Sequence, residues 1–374
     1  MTEVPMFGHG HEVAQVSNQI HPSIQHDVDV EAGSPGLRVV VPKTFGPHAV
    51  IHVAIGAAGP RNWRRPEHPC FGFAMNVPLT RRQALAGLAG TVAVLAVNSR
   101  AAATPVPDDT PTLDLTAVED RTGARIGLYA MELGSGAALA HRAAERFAMC
   151  STFKTYAVAR VMQLAESGHQ PLDASLPVVD ADIVENSPVT SARVGGSMTV
   201  EEVCAAALIR SDNTAGNLLL RRIGGPPAIT AFARSVGDNE SRLDRWETEL
   251  NTALPGDLRD TTTARALASG YREVLTGSAL TDAARNRMLG WMAANETSQK
   301  RFRAGLPGGW TSADKTGAGD FGSTNDAGLL IGPEGQRIAI AVLTRSRDDR
   351  PDAEPFNDAI AEAVRLAIAR FRRR

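Results

Sequence analysis

The sequence predicts an α+β protein: an antiparallel sheet flanked by helices, with an all-helical subdomain inserted into it and the active site in the cleft between the two. Three observations predict it. Strand-like runs cluster near residues 124–147 and return beyond Trp310, helical periodicity fills the interval, and the chain closes on an amphipathic helix.

Taken in order, Ala124 to Glu132 and Ala137 to Phe147 read as two strands joined at Gly134-Ser135-Gly136, a hairpin pattern. From Thr152 to Gly168 the residues Phe153, Ala157, Val158, Val161, Met162 and Leu164 follow helical spacing, and Gly168 is a suitable stop. Helices then dominate to about Asn295. One begins at Thr199 with Glu202 three residues on, a capping box, and runs through Val203, Ala206 and Leu208 toward Ser211. Past Trp310 one strand ends at Ile331, before the turn Gly332-Pro333-Glu334-Gly335, and Ile338 to Thr344 forms the next. The closing helix carries Ile360, Ala363, Val364, Ala367, Ile368 and Phe371 on one face, which would cover one side of the sheet.

The 374 residues, 43% of them hydrophobic, suffice for a sizeable core, so general disorder is excluded. Net charge is −2 and the Arg372-Arg373-Arg374 terminus is the longest basic run, which argues against a nucleic-acid binder and for a small-molecule substrate. Thr80-Arg81-Arg82, the apolar run Ala84 to Val97 and Ala101-Ala102-Ala103 read as a twin-arginine export signal; the apolar run is short for a membrane span. The expected organisation is therefore an upstream extension, 1–74, untranslated or disordered; a signal segment, 75–103, beginning at Met75; and a mature domain, 104–374. Within that domain the sheet part is expected over about 112–149 and 296–374, and the all-helical part over about 150–295. A monomer exported to the periplasm, cell envelope or medium, with no stable membrane span after signal removal, is expected. Seven of the nine His, including His9 and His11, fall in the extension, leaving His141 and His169, so neither a metal nor a cofactor is expected. Cys70 lies there too, and Cys150 and Cys204 read as buried free thiols.

The chemistry concentrates in three short motifs. Ser151-Thr152-Phe153-Lys154 places a hydroxyl and an amine three residues apart at a helix start, on one face. The amine serves as a base if burial and nearby cations lower its pKa, whereas an arginine would stay protonated. Ser-x-x-Lys alone is weak, expected about once by chance in a chain this long. Ser312 and Lys315 also match, but on a strand, where residues three apart face opposite ways. The chain has four lysines against 35 arginines, and two of the three in the mature domain, Lys154 and Lys315, sit inside motifs. Ser211-Asp212-Asn213 joins two helical runs and reads equally as a polar turn on a cleft or as a helix cap. Lys315-Thr316-Gly317, then Ala318-Gly319, reads as a strand edge that a ligand approaches closely, or as a bulge.

Together, in this order, the three motifs resemble those of the penicillin-recognising serine enzymes. Arg245-Trp246-Glu247-Thr248-Glu249-Leu250-Asn251 is similar to the omega-loop signature of class A β-lactamases, which the penicillin-binding proteins lack. The resemblance spans roughly Leu113 to Phe371. The Arg-rich, Lys-poor composition is similar to that of actinobacterial enzymes.

What this resemblance implies is hydrolysis of a β-lactam through an ester on Ser151. Lys154, Glu247 through water, or both take the hydroxyl proton, and the backbone N–H groups of Ser151 and Ala318 stabilise the oxyanion. Ser211 relays a proton to the departing nitrogen, and Glu247 and Asn251 hold the deacylating water. Asn213, Lys315, Thr316, Gly317, Ala318 and Arg301 contact substrate, and Arg245 pairs with Asp260 to close the loop. The chain departs from the family pattern at Thr324, where many relatives carry a carboxylate-binding arginine, and Arg301 matches the alternative arginine. Val158 stands where a partner for Cys204 would be, Gly319 where one for Cys150 would be, Asn186 replaces a common aromatic residue, and Thr248 stands where proline is frequent. A cell-wall peptidase or a β-lactam sensor would share Ser151, Lys154 and Lys315 but keep its acyl group. Glu247 and Asn251 argue against the peptidase, and a sensor would usually bring a membrane anchor, for which no spanning helix is read here.

Overall fold

The computed structural model describes residues 110–373 and the backbone of two short segments, 37–39 and 53–55. Contacts divide the chain into two units, residues 1–100 and 101–374. In the first, β1 (Leu37–Val39) and β2 (Val53–Ile55) pair antiparallel, with Leu37 opposite Ile55. The rest of the expected extension, the export segment 75–103, His9, His11 and Cys70 lie outside the described residues.

In the second unit α1 (Thr116–Thr122) leads into β3 (Ala124–Glu132), β4 (Ala138–His141) and β5 (Arg146–Ala148). A helical block follows, made of α2 (Phe153–Glu166), α3 (Val200–Ile209), α4 (Asn213–Ile223), α5 (Pro226–Ser235), α6 (Ala264–Thr276) and α7 (Asp282–Ala293). It is interrupted by the short strands β6 (Ser175–Pro177), β7 (Ser197–Thr199) and β8 (Thr261–Thr263). Then come α8 (Phe302–Gly305), β9 (Thr311–Ala318), β10 (Thr324–Ile331), β11 (Arg337–Ser346) and α9 (Asn357–Arg372). Five strands form one antiparallel sheet in the order β4-β3-β11-β10-β9, so strands from early and late in this unit share a sheet, with β4 and β9 at its edges.

The single strand expected over 137–147 is two strands in two sheets. Arg142 takes φ 44°, a turn closes from Glu145 N–H to Arg142 O, and β5 leaves to pair with β8. The capping box at Thr199 forms as read, its hydroxyl accepting from Glu202 N–H while the Glu202 carboxylate accepts from Thr199 N–H.

The sheet is buried on both faces, which explains why β11 reads as a nearly continuous apolar run. Ile338, Ile340 and Val342 pack with Ile126, Leu128 and the α9 stripe of Ile360, Val364 and Ile368, whereas Ala341 and Leu343 pack toward the helical block. Each large aliphatic side chain so buried contributes about 1.5–3 kcal/mol. Although α6 lies within the stretch read as all-helical, it packs on β3, β10 and β11 and so forms the floor between block and sheet. Cys150 and Cys204 are both buried and unbridged.

Candidate active site

Ser151 sits in the 3-10 turn Cys150–Thr152 that opens α2, and Lys154 follows one turn later on the same face. Cys150, at φ 46°, turns the chain so that the serine side chain meets the buried lysine. Lys154 Nζ lies 2.9 Å from Ser151 Oγ, 2.9 Å from Glu247 Oε1, 2.6 Å from Asn213 Oδ1 and 2.8 Å from the Ser211 carbonyl. Complete burial pulls the amine below its ordinary pKa, while the Glu247 carboxylate pulls the other way. Ser151 Oγ is also within 3.2 Å of Glu247 Oε1, so two bases are in reach of the hydroxyl proton.

Both readings of the Ser-Asp-Asn turn hold at once. Asp212 caps α4, accepting from Ala215 N–H at 2.8 Å, and its other carboxylate oxygen takes the N–H groups of Val189 and Thr190. Fixed in this way, the turn leaves Ser211, at φ 57°, facing the strand opposite. Lys315 Nζ reaches Ser211 Oγ at 2.9 Å from β9. Burial, and then the charge of Lys154, push the Lys315 amine well below the ordinary lysine range. Thr316, Gly317 and Ala318 continue β9 along the cleft, and Ser312 turns instead to Asp314, as expected of residues three apart on a strand.

The omega segment closes the far wall. Arg245 Nε donates to Asp260 Oδ2 at 2.6 Å, while Asp260 Oδ1 accepts the N–H groups of Asp244 and Arg245. Asp260 O in turn accepts from Met149 N–H, tying the segment to the turn that carries Ser151. The Glu247–Thr248 peptide is cis. Asn251 Nδ2 donates to Glu247 Oε2 at 2.6 Å, and Asn251 Oδ1 is buried beside the cleft without a protein partner among the described residues. Arg301 lies in the cleft wall, its Nη1 held by the carbonyls of Gly317 and Asn325 and its Nε by Asn357 Oδ1. Thr324 is fully buried and bonded to Gly322 O and Phe356 N–H, so of the two positions only Arg301 lines the cleft.

Every residue singled out from the motifs therefore lies in or beside one cleft of about 330 Å³, whose wall includes Ser151, Asn186, Ser211, Asn251, Arg301 and Ala318. Two larger hollows, of about 670 and 630 Å³, are lined by none of the motif residues. Sequence reading missed Asn217, whose amide brackets Glu247, and Gly216, where a Cβ would come within 2.8 Å of Lys154 Cε. It also missed Asn295 and Thr297, which support Thr316. Asn217 and Gly216 follow the Ser-Asp-Asn turn by one helical turn on α4, which was the available signal.

A serine hydroxyl with a buried lysine beside it, opposed across the cleft by a second buried lysine on a sheet edge, is the arrangement of the penicillin-recognising serine enzymes. The sequence profile of the Beta-lactamase enzyme family matches residues 111–368. The β-lactamase of Streptomyces lavendulae is 45% identical over 294 residues, covering 77% of this chain and 95% of that protein. AST-1 of Nocardia asteroides is 44% identical over 295 residues (77% and 94%), and CTX-M-8 of Citrobacter amalonaticus 42% over 252 (67% and 86%). Among solved structures, an ancestral class A β-lactamase aligns at TM-score 0.66 and 46% identity, covering 69% of this chain and 98% of that one. The chain belongs to the Beta-lactamase enzyme family and is a class A β-lactamase, a hydrolase acting on β-lactams. No described helix is long and apolar enough to cross a membrane.

Proposed function

We propose that the enzyme hydrolyses the amide bond of penicillins and cephalosporins through an ester on Ser151, with Glu247 activating the deacylating water. The observation that carries this reading is the position of Glu247: its Oε1 reaches both Lys154 Nζ and Ser151 Oγ, and its Oε2 is held by Asn251. In acylation Ser151 Oγ attacks the lactam carbonyl carbon and its proton passes to Lys154 or Glu247. The Ser151 and Ala318 N–H groups receive the oxyanion. As the C–N bond breaks, the nitrogen takes a proton from Ser211, whose contact with Lys315 Nζ favours the transient alkoxide, and the proton held by Lys154 or Glu247 passes on to Ser211, so that Glu247 enters deacylation as a carboxylate. Lys315, Thr316 and Arg301 receive the substrate carboxylate. In deacylation Glu247 takes a proton from water as its oxygen attacks the ester carbonyl, and Ser151 leaves with a proton restored. Burial of the lysine-carboxylate pair strengthens the interaction between its charges.

Such an enzyme confers resistance to β-lactams where it meets them outside the cytoplasm, which fits the export signal read at 75–103. The test is turnover of a chromogenic cephalosporin, with intact mass recorded for the wild type and Glu247→Ala. Rapid turnover by the wild type and a trapped adduct on the variant are expected. A stable adduct on the wild type would replace this reading with a peptidase or sensor, and no adduct on either would remove Ser151 as nucleophile.

A further inference from the structure

The wall beside Thr316 carries a hydrogen-bond chain whose direction can be worked out. Asn295, fully buried at the end of α7, points Nδ2 at Asp314 Oδ2 (2.6 Å) and at the Asp314 carbonyl (3.2 Å). Both are acceptors, and the Thr297 N–H lies 2.9 Å from Oδ1, so only one orientation of the amide satisfies its surroundings. Thr297 Oγ1 is 2.7 Å from that same Oδ1, which has no proton to give. The single hydroxyl proton of Thr297 is thus committed to Asn295.

Thr297 Oγ1 also touches Thr316 Oγ1. Its own proton being spent, the contact is made by the Thr316 proton, and Thr316 then offers lone pairs to the cleft. A carboxylate cannot be bound by lone pairs. We propose that Thr297 is a specificity-determining residue: its Oγ1 competes with the substrate carboxylate for the Thr316 proton. This rests on the assignment of Thr316 to the carboxylate site made above. Binding a carboxylate exchanges the neutral Thr316–Thr297 bond for a charge-assisted one, so Thr297 reduces the advantage of a substrate that carries a carboxylate over one with no acceptor at this position. Thr297 is exposed on the cleft rim, where its side chain can be altered without opening the core.

The experiment compares kcat/KM for a cephalosporin free acid and its analogue lacking the carboxyl group with the wild type, Thr297→Val and Thr297→Ser. Removing one neutral acceptor should raise the preference of Thr297→Val for the acid over the analogue lacking the carboxyl group about three- to tenfold, while Thr297→Ser, which keeps the hydroxyl, retains the wild-type ratio. An unchanged or reduced preference in Thr297→Val, or an equal rise in Thr297→Ser, overturns the proposal. If the wild type consumes neither substrate, the failure lies with the β-lactam reading of the site and not with Thr297.

Discussion

Asn217 and Glu247 are joined by two reciprocal hydrogen bonds: the amide Nδ2 donates to the Glu247 carbonyl at 2.9 Å, and Oδ1 accepts from the Glu247 N–H at 3.0 Å. The omega segment is thus registered on α4 at Glu247, whose carboxylate meets Ser151 and Lys154. Asn217→Ala removes both bonds and leaves a buried peptide group unpaired. Deacylation is expected to slow about ten- to a hundredfold, because small displacements of a reacting group are costly. Pre-steady-state measurement on a cephalosporin should show an acyl-enzyme burst with little change in its rate; equal slowing of both steps would refute the assignment.

Gly216 lies under Lys154, where an added Cβ would meet Cε at 2.8 Å. Gly216→Ala should push the amine off Ser151 and depress acylation about a hundredfold, with a cooperative melting transition preserved. Retention of wild-type kcat/KM would show that Lys154 relaxes into place.

Tyr156 and Asp238 join α2 to the chain entering the omega segment. The Tyr156 hydroxyl donates to Asp238 Oδ2 at 2.7 Å, Asp238 also takes Ser241 N–H, and Gly270 makes room, since a Cβ there would meet the Tyr156 oxygen. Tyr156→Phe should cost about 2 kcal/mol, as expected for a buried bond to a charged acceptor, read by urea denaturation. A loss below about 0.5 kcal/mol would show that the remaining donors satisfy Asp238.

Glu119 is buried beside Arg142 and His141. Burial by itself raises a carboxyl pKa, but the bonds from Arg142 and the Ile126 N–H outweigh it and hold Glu119 down at about 2, from 4.5. A pKa depressed by folding gives stability that is present above pH 4.5 and lost as pH falls toward about 2. Calorimetry of the wild type and Glu119→Gln should show their Tm difference shrinking across that window. Parallel curves would sink the idea.

How much of this was legible in the sequence varies by element. The α9 stripe, the Thr199 capping box and the strands beyond Trp310 each rest on near-neighbour spacing, and each appears where it was read. The break at Arg142 was hidden because β5 is drawn away by β8, more than a hundred residues distant in sequence. The role of α6 as the floor of the sheet was hidden for the same reason.

By itself the sequence determined the chemical inventory: a serine and an amine one helical turn apart, a polar turn between helices, a lysine on a strand edge, and a carboxylate in a loop. Those follow from local geometry, since a helix or strand fixes which neighbours share a face. Only the tertiary structure decided that Glu247, ninety-six residues from Ser151, meets it at 3.2 Å, and that Asn217, Gly216, Asn295 and Thr297 support the site. Their positions depend on the approach of separate elements, on buried donors finding acceptors, and on the absence of a single methyl group. None of these is expressed in the spacing of residues along the chain.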